Sequence, residues 1–199
     1  MKKLFFSISA ALLVATTFCI PSSYADDPAF DKGSNTIGLS LGAGVNYGYY
    51  SGALAPSMAF TYDHGFFPEV GPGTIGIGGI VAYKSGHYRY GYGDYEYKWS
   101  SIIVAARGTY HLTLLKDKNN HFDPYAGVVL GVRINSYSDT YDDYYYSNYH
   151  SHYYKEDASA NAVRGVFIGA KYNFTKFFGL FAELGSDVSV ISGGVNFNF

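Results

Sequence analysis

The chain has 199 residues, a single cysteine, and 14 basic against 16 acidic side chains for a formal net charge of −2. So slight an acidic excess excludes nucleic acid as a natural partner, and one cysteine excludes both an internal disulfide framework and a thiolate metal site. The 24 glycines and 22 tyrosines, beside one tryptophan and 2 methionines, suit many short strands better than packed helices.

The first element is an export signal. Met1, Lys2 and Lys3 precede an apolar run from Leu4 to Ile20, and Ser23-Tyr24-Ala25 is a small-x-small cleavage site, so residues 1–25 are expected to be removed after Ala25. A retained transmembrane helix is the weaker reading, because Ser7, Ser9, Thr16 and Thr17 interrupt the run. Bulky Phe18 speaks against lipidation at Cys19, which leaves with the signal. Residues 26–199 then form one domain without cysteine.

Eight windows of period two follow. In the first, Ile37, Leu39, Leu41, Ala43, Val45 and Tyr47 alternate with Thr36, Gly38, Ser40, Gly42, Gly44 and Asn46. The second sorts Met58, Phe60 and Tyr62 from Ser57, Ala59, Thr61 and Asp63, and the third sorts Ile75, Ile77, Val81 and Tyr83 from Thr74, Gly76, Gly78 and Lys84. The fourth sets Ile102, Val104, Ala106, Tyr110 and Leu112 against Arg107, Thr109 and His111, blurred by Ile103 and Ala105. The fifth sets Pro124, Ala126, Val128, Leu130, Val132 and Ile134 against Tyr125, Gly127, Gly131, Arg133 and Asn135. In the sixth, Val166, Ile168, Ala170, Tyr172 and Phe174 oppose Gly165, Phe167, Gly169, Lys171 and Asn173. The seventh opposes Phe178, Leu180, Ala182 and Leu184 to Gly179, Phe181, Glu183, Gly185 and Asp187; the eighth opposes Ile191, Val195, Phe197 and Phe199 to Ser192, Gly194, Asn196 and Asn198.

Windows of roughly 9–11 residues are long enough to cross a bilayer as tilted strands, and an even antiparallel set returns both termini to one side. Lipid tolerates no open sheet edge, so the prediction is an all-β, eight-stranded antiparallel up-and-down transmembrane β-barrel. A soluble lipocalin-type barrel would carry the apolar face inside. Two features decide against it: the polar face mixes Arg107, Arg133, Lys171 and Glu183 with glycines, which suits a narrow, filled, polar lumen, and the apolar face is nearly free of charge. Arg164 is the exception and is assigned to the outer end of its strand. Aromatic clusters at strand ends (Tyr47, Tyr49, Tyr50; Phe66, Phe67; Phe122, Tyr125; Phe174, Phe177, Phe178) read as interfacial girdles.

These residues resemble the small outer-membrane β-barrels of Gram-negative bacteria, of the OmpX and OmpA-transmembrane-domain type. The resemblance covers the mature chain and is most specific in Ser192-x-Gly194-x-x-Phe197-x-Phe199 and in the stretch GAKYNFTKFFGLFAELG. It implies an outer-membrane location, contact with outer-membrane lipid and lipopolysaccharide, and an assembly signal (Ser192, Gly194, Phe197, Phe199) read by the barrel-assembly machinery with Phe199 as anchor. The connection around 186–189 is shorter than the outer loops of many relatives.

With the N-terminus in the periplasm, outer loops fall near 48–56, 85–97, 136–161 and 186–189. The third carries Tyr144, Tyr145, Tyr146, Tyr149, Tyr153 and Tyr154. Tyrosine offers wide contact area with few rotatable bonds, so these are the candidate residues for an extracellular ligand; the plainer reading is a tyrosine-studded strand extension with no partner. His150 and His152, near Asp139, Asp142 and Asp143, could meet a metal, but such spacing in a polar loop is usually without consequence, and neither metal nor cofactor is expected. The resemblance brings in lipid A acylases and deacylases as an enzymatic alternative, yet His64, His87 and His111 stand in no recognisable serine and acid motif, and no catalytic residue is assigned. Inward Arg107, Arg133, Lys171 and Glu183 would neutralise one another, or else line a narrow porin-like path. The expectation is a monomeric barrel with a structural or surface-interaction role.

Overall fold

The structure, a computed structural model, describes residues 30–45, 54–68, 70–89, 96–113, 121–140, 155–186 and 188–199. The expected signal peptide, Tyr47, Tyr49 and Tyr50, His150 and His152 and the six candidate loop tyrosines lie outside the described residues. Eight strands run β1 Asn35–Val45, β2 Leu54–Gly65, β3 Gly73–Arg89, β4 Glu96–Leu112, β5 Phe122–Thr140, β6 Lys155–Asn173, β7 Phe178–Gly185 and β8 Ile191–Asn198. All neighbours are antiparallel and the order β1 to β8 closes into a barrel. The seam joins β1 to β8 from Thr36↔Asn198 to Ala43↔Ile191, and Asn35 and Phe199 exchange two further backbone hydrogen bonds of 3.1 and 3.0 Å.

The alternation read from sequence sorts the faces. Leu41 (67% exposed), Leu130 (68%) and Val166 (65%) look outward, whereas Thr61, Asp63, Arg107 and Asn196 are buried inside. A large exposed apolar surface that encircles a closed barrel belongs in hydrocarbon and not in water, so the barrel spans a membrane. The outward apolar row Tyr83, Ile102, Ile134 is followed, one step up the register, by Ser85, Ser100 and Ser136, which marks the upper limit of that belt on β3 to β5. Arg164 is a correction: in place of the expected outer end of its strand it lies mid-strand on β6, exposed opposite Leu130 and well below the Ile134↔Ala160 pair, so only its long stem can carry the charge toward the headgroups.

Tight turns close the lower end. Gly71 takes φ +64 and Val70 N–H bonds to the Gly73 carbonyl at 2.7 Å, while the Thr175 hydroxyl oxygen accepts from Phe178 N–H at 3.0 Å between β6 and β7. Phe66, Phe67, Phe122, Phe174 and Phe177 are exposed at this end, as a girdle requires. Tyr125 is a correction: it sits inside, 3% exposed, because it shares the parity of Gly127 and Val129 on β5.

The upper end is uneven. β3 and β4 have 17 residues and β5 and β6 have 19, against 8 each for β7 and β8. At about 3.3 Å per residue a 19-residue strand reaches roughly 60 Å, far beyond a bilayer crossing. Segments 85–89, 96–97, 136–140 and 155–161, expected as loop, are therefore strand. They continue the β3-β4-β5-β6 ladder up to Arg89↔Glu96, Glu96↔Thr140 and Asp139↔Lys155, so cross-strand hydrogen bonds won over loop composition.

The belt assignment is testable with two exposed outward residues. Val128→Arg, opposite Val166 at the centre of the belt, should lose about 2–4 kcal/mol of folding stability in vesicles, the cost of a cation in the apolar belt. Ala158→Arg, beside Ser136 above the belt, should be close to neutral. Urea titrations followed by Trp99 emission distinguish the two.

Candidate functional site

The alternation that faces Arg107 inward on β4 also faces Glu183 inward on β7, across the lumen. The guanidinium meets the carboxylate in a fork, Nη2 to Oε1 at 2.7 Å and Nη1 to Oε2 at 3.3 Å. Asp63 on β2 adds a charge contact, 3.5 Å from Arg107 Nε, and the Tyr125 hydroxyl donates to Glu183 Oε1 at 2.8 Å. The guanidinium lies 4.1 Å from the centroid of the Phe167 ring. Arg107 and Asp63 are almost fully buried, and a charge held that far from water needs both partner and hydrogen bonds; Glu183 supplies both to Arg107, while the Asp63 contact is one of charge alone.

A second polar group lies nearer the lower end, where the two described chain ends meet. His111 Nδ1 bonds to Asp123 Oδ2 at 2.8 Å and His111 Nε2 meets Thr109 Oγ1 at 3.1 Å. Sequence reading found no serine and acid motif around His111, because Asp123 arrives from the next strand and the hydroxyl is that of Thr109. The order acid, imidazole, hydroxyl resembles a hydrolase triad in connectivity. It has no exposed face: His111 and Thr109 are 0% and 3% exposed, and the imidazole is stacked between Phe30, at 3.7 Å, and Tyr125, at 5.1 Å. In this conformation the group is a buried clamp between β4 and β5.

Lys171 does not join the Arg107–Glu183 pair. It lies directly across β6 and β5 from Asp123, is 3% exposed, and its Nζ makes no hydrogen bond; the rings of Phe30 and Tyr125 stand 5.2 and 5.1 Å away. Cation–π attraction offsets part of its desolvation. Arg133 faces the lumen further up β5, in register with Ile103 and Asn161. Between them the lumen is not polar as expected. Ile80, Ala82, Ile103, Ala105, Val129, Val163 and Phe167 form an apolar collar, which is why Ile103 and Ala105 blurred the fourth window. A cavity of about 30 Å³ remains beside it, with Ser40, Arg107, Glu183, Ser189 and Ser192 in its wall, room for about two waters. Among the described residues no group of three His, Cys, Asp or Glu could hold a metal ion.

The closing strand places its four residues on both faces. Ser192 lines the small cavity, Phe197 and Phe199 are 41% and 64% exposed on the outside, and Gly194 packs so closely on β1 that a Cβ would run into the Leu39 carbonyl oxygen. On the outer wall, Trp99 and Tyr137 are half-buried on β4 and β5, and β6 from 155 to 165 has no β7 partner among the described residues.

Two substitutions separate the buried charges. Glu183→Gln leaves Arg107 with Asp63 alone, and should cost on the order of 3 kcal/mol, read as a lower temperature for loss of the fast-migrating folded band on unheated gels. Lys171→Met removes an ammonium without hydrogen bonds and should leave that temperature unchanged or raise it.

No family model matches the chain, and no curated protein matches it in sequence. Among solved structures the barrel is similar to Ail, the attachment invasion locus protein of Yersinia pestis, at 14% identity and a TM-score of 0.51, over 84% of this chain and 99% of that one. Neisserial surface protein A superposes at 15% identity and a TM-score of 0.49 over 85% of this chain and 99% of that one. The N-terminal barrel domain of Pseudomonas aeruginosa OprF does so at 16% and 0.47 over 85% and 100%. With its closed ladder of eight strands, its outer apolar belt and its likeness to Ail, the chain has the fold of the small eight-stranded outer-membrane β-barrels of the OmpX and OmpA-transmembrane-domain type.

Proposed function

We propose that this chain is a monomeric outer-membrane protein whose role is structural and adhesive, exerted by the part that stands outside the lipid. The observation that carries the reading is the raised wall: β3 to β6 keep pairing well above the serine row while β7 and β8 stop after 8 residues each. A paired sheet is a rigid support, and residues 141–154, with Tyr144, Tyr145, Tyr146, Tyr149, Tyr153 and Tyr154, connect its two longest strands. Aromatic side chains on a fixed frame bind with little loss of freedom. On this reading the belt contacts lipid and lipopolysaccharide, and the barrel-assembly machinery takes up the strand ending in Phe197 and Phe199.

The alternative of a narrow pore is weakened by the collar and by the Arg107–Glu183 fork, which together leave only a cavity of about 30 Å³. An enzymatic role on lipid A draws no support from His111, whose partners are buried.

The test pairs two measurements. Cells displaying the wild-type chain should adhere to an epithelial monolayer, and replacing 141–154 by a four-residue Gly-Ser turn should lower adherence about tenfold, the scale of losing one or two aromatic anchors. In planar bilayers the folded wild-type chain should give no discrete current steps. Steps that change with Arg133→Ala, with adherence unaffected by the loop exchange, would replace the adhesive reading with a channel.

A further inference from the structure

The residues just ahead of β1 take no part in the barrel ladder, yet they are built into it with care. Asp31 N–H bonds to the Ser34 hydroxyl at 2.9 Å and Ser34 N–H to the Asp31 carbonyl at 3.0 Å, a tight turn in which Gly33 takes φ +88. That turn is strapped to the lower end of β2: Gly33 N–H bonds to the Gly65 carbonyl at 2.8 Å and Gly65 N–H to the Ser34 carbonyl at 2.9 Å. Its effect is to turn Phe30 into the barrel mouth, where the ring is 2% exposed and lies flat on His111.

Glycines leave the room for this. A Cβ at Gly76 would stand 3.1 Å from Phe30 Cζ, and one at Gly65 would collide with the Asp31 carbonyl oxygen. Above the ring lies Lys171, whose buried Nζ has no hydrogen bond and would gain one from any water that entered.

We infer that Phe30 is a periplasmic plug: a side chain of the N-terminal strap that closes the lumen from below and keeps Lys171 and the His111–Asp123 pair dry. The apolar collar covers Arg107 from above on the β3–β6 side, whereas Glu183 still borders the small cavity beside Ser189 and Ser192, so Phe30 is the cover of the lower end only. This inference is independent of any adhesive role.

The mature chain's expected lack of cysteine allows a direct test. Thr74 is inward on β3, two residues from Gly76 and in register with His111; it is 0% exposed and its hydroxyl makes no hydrogen bond, so Thr74→Cys breaks no hydrogen bond and removes one methyl. In detergent micelles this thiol should react very slowly with a small cationic methanethiosulfonate while Phe30 is present. Adding Phe30→Ala should speed labelling about tenfold or more, with folded gel migration retained, since a local seal and not the global fold limits access. Equal rates with and without Phe30, or fast labelling in its presence, would overturn the plug. If Phe30→Ala does not fold, Gly33→Val, which strains the strap at a positive φ and touches no lumen residue, decides by the same comparison.

Discussion

A strand ladder that lies in hydrocarbon must end on itself, because each backbone N–H or C=O left open to lipid costs several kcal/mol. The β1–β8 seam meets that constraint, and the remaining features of the barrel depend on it. It explains why the chain keeps alternating to its last residue. Phe199 is bonded to Asn35 through both backbone groups, and its ring and that of Phe197 face outward beside the lower girdle. A frayed terminus would leave β1 and β7 with bare edges.

Closure with only eight strands fixes a lumen that side chains alone can fill. A charge on the inner face then has no water to turn to, and the barrel answers in three ways. Arg107 receives a forked carboxylate, a second acid and a ring face. His111 is clamped by Asp123 and Thr109 between two aromatic planes. Lys171 has rings in place of hydrogen bonds, the least compensated of the three. Buried pairs of this kind contribute less to net stability than to uniqueness, since any slip in register would separate Arg107 from Glu183 and flip each to the lipid face.

The strands and their facing were legible because lipid outside and a packed lumen inside impose a period of two on every crossing. What failed was whatever the period does not encode. Tyr125 looked like a girdle residue by position, although its parity already put it with Gly127 and Val129. Ile103 and Ala105 looked like noise in the alternation and turned out to be the collar. Loop boundaries failed because serine, aspartate and tyrosine in 136–140 suit either an exposed strand or a loop, and only pairing with neighbours separates them. Which charges meet was out of reach: Arg107, Asp63 and Glu183 come from three strands brought together by barrel tilt and register, neither of which appears in a single window. Phe30 had no signal at all, because it lies ahead of the first alternating residue.

The same closure that makes the barrel stable also decides where activity can reside. With the collar beside Arg107 and the Phe30 ring below, the lumen narrows to a cavity of about 30 Å³ next to the buried Arg107–Glu183 pair. The outer end carries no such constraint. There the chain spends 17 to 19 residues per strand where about half would cross the bilayer, and among the described residues it does so on four neighbouring strands while the other four have 8 to 12. Extra length confined to one side has no part in closing the barrel or in lining its lumen. It produces a one-sided wall above the lipid surface, and that wall is the frame on which the proposed surface role rests.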